Sequence, residues 1–223
     1  MGRRITRKQL KQDEFISTAD TAVHWLLANW RPFALGLAVI CFVIVAWWGG
    51  TRWTGSRSKH ASYLLHQATT AVDAAKQGGD AAAAEAKLQE VIDRYGRTEQ
   101  ADMARVLQAR LRIDANNVEG ARALLVDVSE RRGGDAIGRV ATLDLVRLQI
   151  ASGQAAEVAP QLEAMVSGED VRLPRDVALY ELGELYESNQ DPTRARSYYQ
   201  RLVDEFPESP YRPQASQRLA ELG

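Results

Sequence analysis

Apolar residues are distributed along this chain in two ways, one continuous and one periodic. From Phe33 to Trp48, FALGLAVICFVIVAWW, sixteen residues pass without a charge. Arg31 and Arg52 bound a stretch of twenty residues, nine of them Leu, Ile, Val or Phe. As helix, such a stretch rises about 30 Å, the thickness of a bilayer's hydrocarbon core. Its nine large apolar side chains favour insertion by about −4 kcal/mol. Trp30, Trp47, Trp48 and Trp53 stand at the two ends, where indoles settle at the lipid–water interface. The pattern predicts a transmembrane signal anchor over 32–51. A buried core helix is the competing reading, and the length, flanks and indole belts speak against it.

Beyond residue 55 the apolar positions recur. Ala84, Ala121, Val158 and Ala195 are each 37 residues apart. Four positions later stand Leu88, Leu125, Leu162 and Tyr199, and three later still Val91, Val128, Met165 and Leu202. Twelve before the first set stand Val72, Ala109, Val146 and Gly183. Columns at +4 and +7 continue one stripe of a helix. A small residue in a preceding helix lets two backbones approach. Breaks fall where helical hairpins need them: Gly78-Gly79-Asp80, Asn116-Asn117, Gly133-Gly134-Asp135, Ser152-Gly153, Asn189 to Pro192 and Pro207 to Pro210. Asp80, Asp135 and Asp191 suit N-caps, the last followed by Pro192 in the first helical turn. No sustained β-branched alternation competes. The expected fold is all-α: one transmembrane helix, then a solenoid of about four helical hairpins, closed by a C-terminal capping helix. In that helix, Ala215, Leu219 and Leu222 point inward, and Gln214, Gln217, Arg218 and Glu221 outward.

Charge sets the topology. Six basic residues precede position 32 (Arg3, Arg4, Arg7, Lys8, Lys11 and Arg31) against three acidic ones. Of the totals of 28 basic and 29 acidic residues, the remainder therefore carries 22 and 26, a poor composition for a nucleic-acid binder. The basic excess before the span places the N-terminus in the cytoplasm and residues 55–223 across the membrane. WWGGTRW follows the span, with no small-residue cleavage site, so the anchor is expected to stay uncleaved. Residues 1–31 form a cytoplasmic leader. RRITRKQLK at 3–11 fixes orientation or touches anionic headgroups. Phe15, Ala19, Val23, Leu26, Leu27 and Trp30 give 13–30 an amphipathic helical period. Cys41 is the only cysteine and lies inside the span, so no disulfide within the chain is possible.

In the last copy, Leu179, Leu182, Gly183, Tyr186, Ala195, Tyr199, Leu202 and Pro207 match the tetratricopeptide repeat at its own spacings. Earlier copies are degenerate, with Arg112 and Gln149 in place of the aromatic, and the period is 37 instead of 34. The three extra residues are expected in the link from each second helix to the next hairpin. The basic leader, KQDEF at 11–15, the amphipathic helix, one span and the repeat array together resemble the YfgM-type ancillary subunits of the bacterial Sec translocon. That resemblance implies a single-pass protein of the bacterial inner membrane with a periplasmic repeat domain. It would bind proteins, translocon subunits or periplasmic chaperones and emerging chains, with no small-molecule substrate. YYQRLVDEFPESPYRPQASQRLAEL at 198–222 is also similar to repeats of outer-membrane assembly lipoproteins and division coordinators, which makes an envelope-assembly or division scaffold the alternative.

Candidate chemistry is sparse. His60 and His66 are six residues apart, about 240° round a helix, and cannot share a metal. No H-E-x-x-H, C-x-x-C, G-x-S-x-G or phosphate-loop motif occurs. Glu181 and Glu184 read as a solvated helical face, with nothing to bury them, and Arg131-Arg132 as cations closing a helix. Neither catalytic residues nor a cofactor or metal site is expected, and an enzyme with an unrecognised site is the remaining alternative. The expected binding groove is the inner face of the first helices: Met103, Val106 and Arg110 in the second copy, and Tyr180, Glu184 and Glu187 in the last.

Overall fold

The computed structural model describes the backbone of residues 30–223 and the side chains of 35–36, 39–45 and 58–223. The leader and most of the amphipathic segment before Trp30 lie outside the described residues. The chain divides into two units, Met1–Ser56 and Arg57–Gly223. Helix α1 is Trp30–Lys76, followed by α2 (Ala81–Tyr95), α3 (Glu99–Asp114), α4 (Val118–Arg132), α5 (Ala136–Ala151), α6 (Ala155–Ser167), α7 (Arg175–Ser188), α8 (Pro192–Glu205) and α9 (Arg212–Glu221). Among the described residues there is no strand.

In the first unit, Leu35, Val39, Ile40, Phe42, Val43, Ile44 and Val45 are all more than half exposed. Among the described residues no helix is long and apolar enough to cross a membrane. The expected span over 32–51 falls among residues with described side chains only at 35–36 and 39–45, so the structure does not show a transmembrane helix.

The second unit is a row of helical hairpins. The final part of α1 pairs with α2, α3 with α4, α5 with α6 and α7 with α8, and α9 closes the row. All four periodic columns are buried: Ala84, Ala121, Val158 and Ala195; Leu88, Leu125, Leu162 and Tyr199; Val91, Val128, Met165 and Leu202; Val72, Ala109, Val146 and Gly183. Side-chain caps start five of the helices, α2, α3, α4, α5 and α8. Asp80 accepts from the N–H groups of Ala82 and Ala83, Asp135 from those of Ile137 and Gly138, and Asp191 from that of Arg194. Thr98 and Asn117 cap α3 and α4 in the same way. The ends of the first helices also repeat. Asn116, Gly153 and Gln190, again 37 apart, take left-handed φ of 59°, 79° and 61°. Behind them, the N–H groups of Asn117, Gln154 and Asp191 donate to the carbonyls five residues back, on Arg112, Gln149 and Tyr186, at 2.7–2.9 Å. This closes the orphan carbonyls of each helix in a Schellman-type turn.

Two expectations need correction. In the second copy the three residues beyond a 34-residue period do not lie in the link. Helix α3 has 16 residues and α4 has 15, and Gly133-Gly134-Asp135 alone joins α4 to α5. The third copy does have a long link, 168–174, whose Leu173 is buried. The rule of a small residue between paired helices also fails in that copy, where Val146 faces Val158 within one core cluster. There α5 and α6 approach closely at few places, whereas α3/α4 and α7/α8 run close together.

The last hairpin takes the small-residue rule furthest. Tyr199 is fully buried, and its ring occupies the space a Cβ on Gly183 would need. Its hydroxyl donates to Glu187 at 2.9 Å. Copies with alanine or valine in the glycine column carry leucine opposite, so ring and missing Cβ are matched. Gly183→Ala is expected to destabilise the fold by about 1–3 kcal/mol through overpacking. Adding Tyr199→Leu should recover part of that loss. Denaturant unfolding of the two variants checks both outcomes.

Candidate functional site

Stacked hairpins bring the first helices α3, α5, α7 and the closing α9 side by side, and residues 34 apart in sequence meet across them. Arg110 Nε lies 2.7 Å from Asp144. Arg147 Nη2 lies 2.6 Å from Glu181. Arg218 Nη2 lies 3.7 Å from Glu184. Arg110, Arg147 and Glu184 are one column of the 37-residue period, and Asp144, Glu181 and Arg218 are another. The three contacts are therefore rungs of one ladder, and the last rung has its charges exchanged.

The second rung is the deepest. Glu181 is buried, and burial pushes its carboxyl above the usual glutamate range, against the Arg147 hydrogen bonds that pull it down. Those same hydrogen bonds hold the half-exposed Arg147 guanidinium above its ordinary value. Reading Glu181 as a solvated carboxylate is thus wrong. It lies on the side of α7 that faces Arg147 of α5. Glu184, three residues on, does keep its exposure and accepts from the Tyr180 hydroxyl at 3.1 Å.

The expected groove residues are placed as follows. Val106 is fully buried in the core between α3, α4 and α5, so it presents no surface to a partner. Met103 is half-buried, and Arg110 forms the first rung. Tyr180 packs against the rings of Tyr199 and Tyr211 at 5.8 and 5.0 Å. Glu184 and Glu187 lie 3.7 and 3.6 Å from Arg218 of the closing helix. Arg218 therefore turns toward the last repeat instead of outward. Sequence reasoning missed Asp144, Arg147, Glu181 and Arg218, although a search for opposite charges 34 residues apart would have found them.

A second ionic cluster lies at the other end of the second copy. Buried Asp102 at the start of α3 accepts from Arg105 at 2.8 Å and lies 2.9 Å from Arg131 and 3.6 Å from Arg132, at the end of α4. Arg131 also reaches Asp127 at 2.6 Å, and Arg132 reaches Glu99 and Asp135, both at 3.0 Å. Four carboxylates neutralise three guanidinium groups, so the cluster ties α3 to α4 and leaves no free cationic site for an anion. Arg112, at a position where the repeat pattern has an aromatic, reaches back to Glu85 of α2 at 3.1 Å. At the equivalent position in the last copy, Tyr186 stacks on Tyr198 at 5.4 Å.

A hollow of about 360 Å³ opens at the α8–α9 corner, lined by Asp176, Glu205, Phe206, Pro207, Glu208, Ser209 and Pro210. Asp176 accepts from the Ser209 hydroxyl at 2.7 Å, and Glu205 pairs with Arg201 at 2.8 Å, so these two of its acids serve local structure. Among the described residues no group of His, Cys, Asp and Glu could hold a metal ion.

Residues 23–223 match the family model of the tetratricopeptide repeat-like domain, and the chain belongs to that family. Two crystal structures of the nearly identical TPR-like repeats of a putative kinesin light chain from Podosopora anserina are similar to it. Their TM-scores are 0.56 and 0.55 at 21% and 20% identity, covering 73% of this chain and 86% and 85% of those. The crystal structure of BtubC from P. vanneervenii is similar at a TM-score of 0.52 and 18% identity, covering 73% of this chain and 72% of that one. At these identities the likeness speaks to the fold alone. No curated protein sequence matches the chain.

The raised Glu181 carboxyl has a measurable consequence. A carboxyl whose folded pKa exceeds its unfolded value stabilises the fold at acid pH, and that contribution is lost as pH rises through the folded value. Relative to Glu181→Gln, the wild type should therefore lose stability as pH climbs from the ordinary value of 4.5 through the higher folded one. At neutral pH the two should differ by no more than about 1 kcal/mol, because a half-exposed Arg147 stays hydrated without its partner. Denaturant midpoints across a pH series test the slope, and a difference independent of pH would refute it.

Proposed function

We propose that this chain is a membrane-anchored, non-catalytic protein-interaction scaffold. Its repeat domain lies on the periplasmic side of a bacterial inner membrane, ancillary to the Sec translocon, and binds chaperones or emerging chains. The observation that carries the reading is the face formed by α3, α5 and α7. Consecutive copies there present half-exposed charged, apolar and aromatic side chains in one register, the kind of extended surface on which helical repeats hold polypeptides. Family membership supports the same class, since tetratricopeptide-like domains typically bind proteins.

The anchor is supported by the first unit. Seven large apolar side chains between Leu35 and Val45 are more than half exposed, and a contiguous apolar surface of that kind needs lipid or protein to cover it. In the sequence the uncharged run continues to Phe33 on one side and Trp48 on the other. The basic residues before it favour a cytoplasmic N-terminus. The translocon is favoured by the resemblance of the whole layout to YfgM-type subunits. Tethering raises local concentration to about the millimolar range, so a shallow, weakly binding surface suffices.

Crosslinking in intact membranes followed by mass spectrometry is the test. We expect the full-length chain in the membrane fraction, with translocon subunits and periplasmic chaperones among its crosslinked partners. A soluble chain starting after residue 50, or recovery of division or outer-membrane assembly proteins without any translocon subunit, would overturn the reading.

A further inference from the structure

We infer that the first-helix face is polarised in charge and takes an extended partner segment with an acidic stretch and a basic stretch in series. The acidic stretch lies over Arg110 and Arg147, and the basic stretch over Glu184, Glu187 and Glu221. This rests on the interaction-scaffold reading above and names the chemistry of the segment held.

Depth within each rung decides what a partner meets. On the first rung the Asp144 side chain is 14% exposed and Arg110 43%, and on the second Glu181 is 3% exposed and Arg147 51%. In both, the carboxylate lies beneath and the guanidinium on top. The last rung shows no such difference in depth, with Arg218 41% exposed and Glu184 40%, but there one guanidinium faces three partly exposed carboxylates, Glu184 at 3.7 Å, Glu187 at 3.6 Å and Glu221 at 3.0 Å. The outermost member of each pair is therefore basic over α3 and α5, and carboxylates outnumber the guanidinium where α7 meets α9. Asp73 holds the same column position in the first copy and is exposed.

Spacing sets the partner's reach. Packed helices lie about 8–10 Å apart. α5 and α7, and α7 and α9, meet through side-chain ion pairs instead of close backbone packing. The basic pair and the acidic group therefore lie at least two such steps apart, about 20 Å or more, which an extended chain spans in about six residues or more. A segment of one sign would gain at one half and be repelled at the other, because like charges brought together across an interface are unfavourable.

The test uses the full chain in neutral detergent micelles and fluorescent peptides of equal length. Two peptides carry a Glu block and a Lys block joined by a Gly-Ser linker, in either order. A third alternates Glu and Lys at the same composition, and a fourth is Glu throughout. One block order should bind about five- to tenfold tighter than the alternating peptide at low salt, with the preference fading as ionic strength rises. Arg110→Gln with Arg147→Gln should abolish the preference. Glu184→Gln with Glu221→Gln should abolish it too, and this pair changes only half-exposed carboxylates, so folding is not at stake. Equal binding of block and alternating peptides, or equally tight binding of the all-Glu peptide, would overturn the inference. Membrane crosslinks to protein partners that persist beside such a result would leave the scaffold reading standing, and their absence would remove that reading as well.

Discussion

A helical hairpin of this length has more apolar surface than its own two helices can cover. Every second helix here is covered from two sides, by the first helix of its own copy and by the first helix of the next. The core shows it directly. Val106 and Ala109 of α3 meet Ala121, Leu125 and Val128 of α4, and these meet Ala141 and Leu148 of α5. The same sandwich recurs with α2 between α1 and α3, and with α8 between α7 and α9. Stability in such an array is a sum of neighbour terms. The 37-residue period is the sequence form of that requirement, because each copy must offer matching faces to the copies on either side.

The same stacking decides where polar chemistry can exist. First helices from successive copies become neighbours, so charges on them meet across the copies and not within them. Arg147 and Glu181 are distant in sequence, yet 2.6 Å apart in space. A carboxylate as deeply placed as Glu181 is costly without a partner, and one retained beneath an arginine orients that arginine outward. The ladder thus couples neighbouring copies and also fixes which charge faces solvent.

Much of this was legible in the chain. Four columns of small and apolar residues located the second helices, their partners and the core, and the turn residues Asn116, Gly153 and Asn189 to Pro192 located the hairpin ends. What the pattern concealed was rotation about each helix. Val106 and Arg110 are four residues apart and read as one face, yet the wedge between α3, α4 and α5 swallows Val106 and leaves Arg110 at the rim. Glu181 was misread for a related reason. Its burial comes from a neighbour 34 residues upstream, and periods within one helix carry no trace of that contact. The small-residue rule failed at Val146 because apolar character alone satisfies the column, whatever the size of the side chain.

The end of the array explains why the last copy follows the repeat pattern best. An interior copy is held on both sides by other copies, whereas among the described residues the last copy is followed by α9, in which Ala215 alone is buried. A short polar helix supplies little apolar area, so the final hairpin must supply more of its own. Its answer is aromatic. Tyr180 packs against Tyr199 and Tyr211, Tyr186 stacks on Tyr198, and Tyr198 donates to Glu163 of the preceding copy at 3.0 Å. Aromatic rings bury more area than the aliphatic residues that fill these columns elsewhere, and each hydroxyl still reaches a carboxylate or the surface. Gly183 follows from that choice, since a ring as large as Tyr199 leaves no room for a side chain opposite. Fidelity to the pattern is thus greatest where neighbouring copies contribute least, and interior copies drift because their neighbours support them.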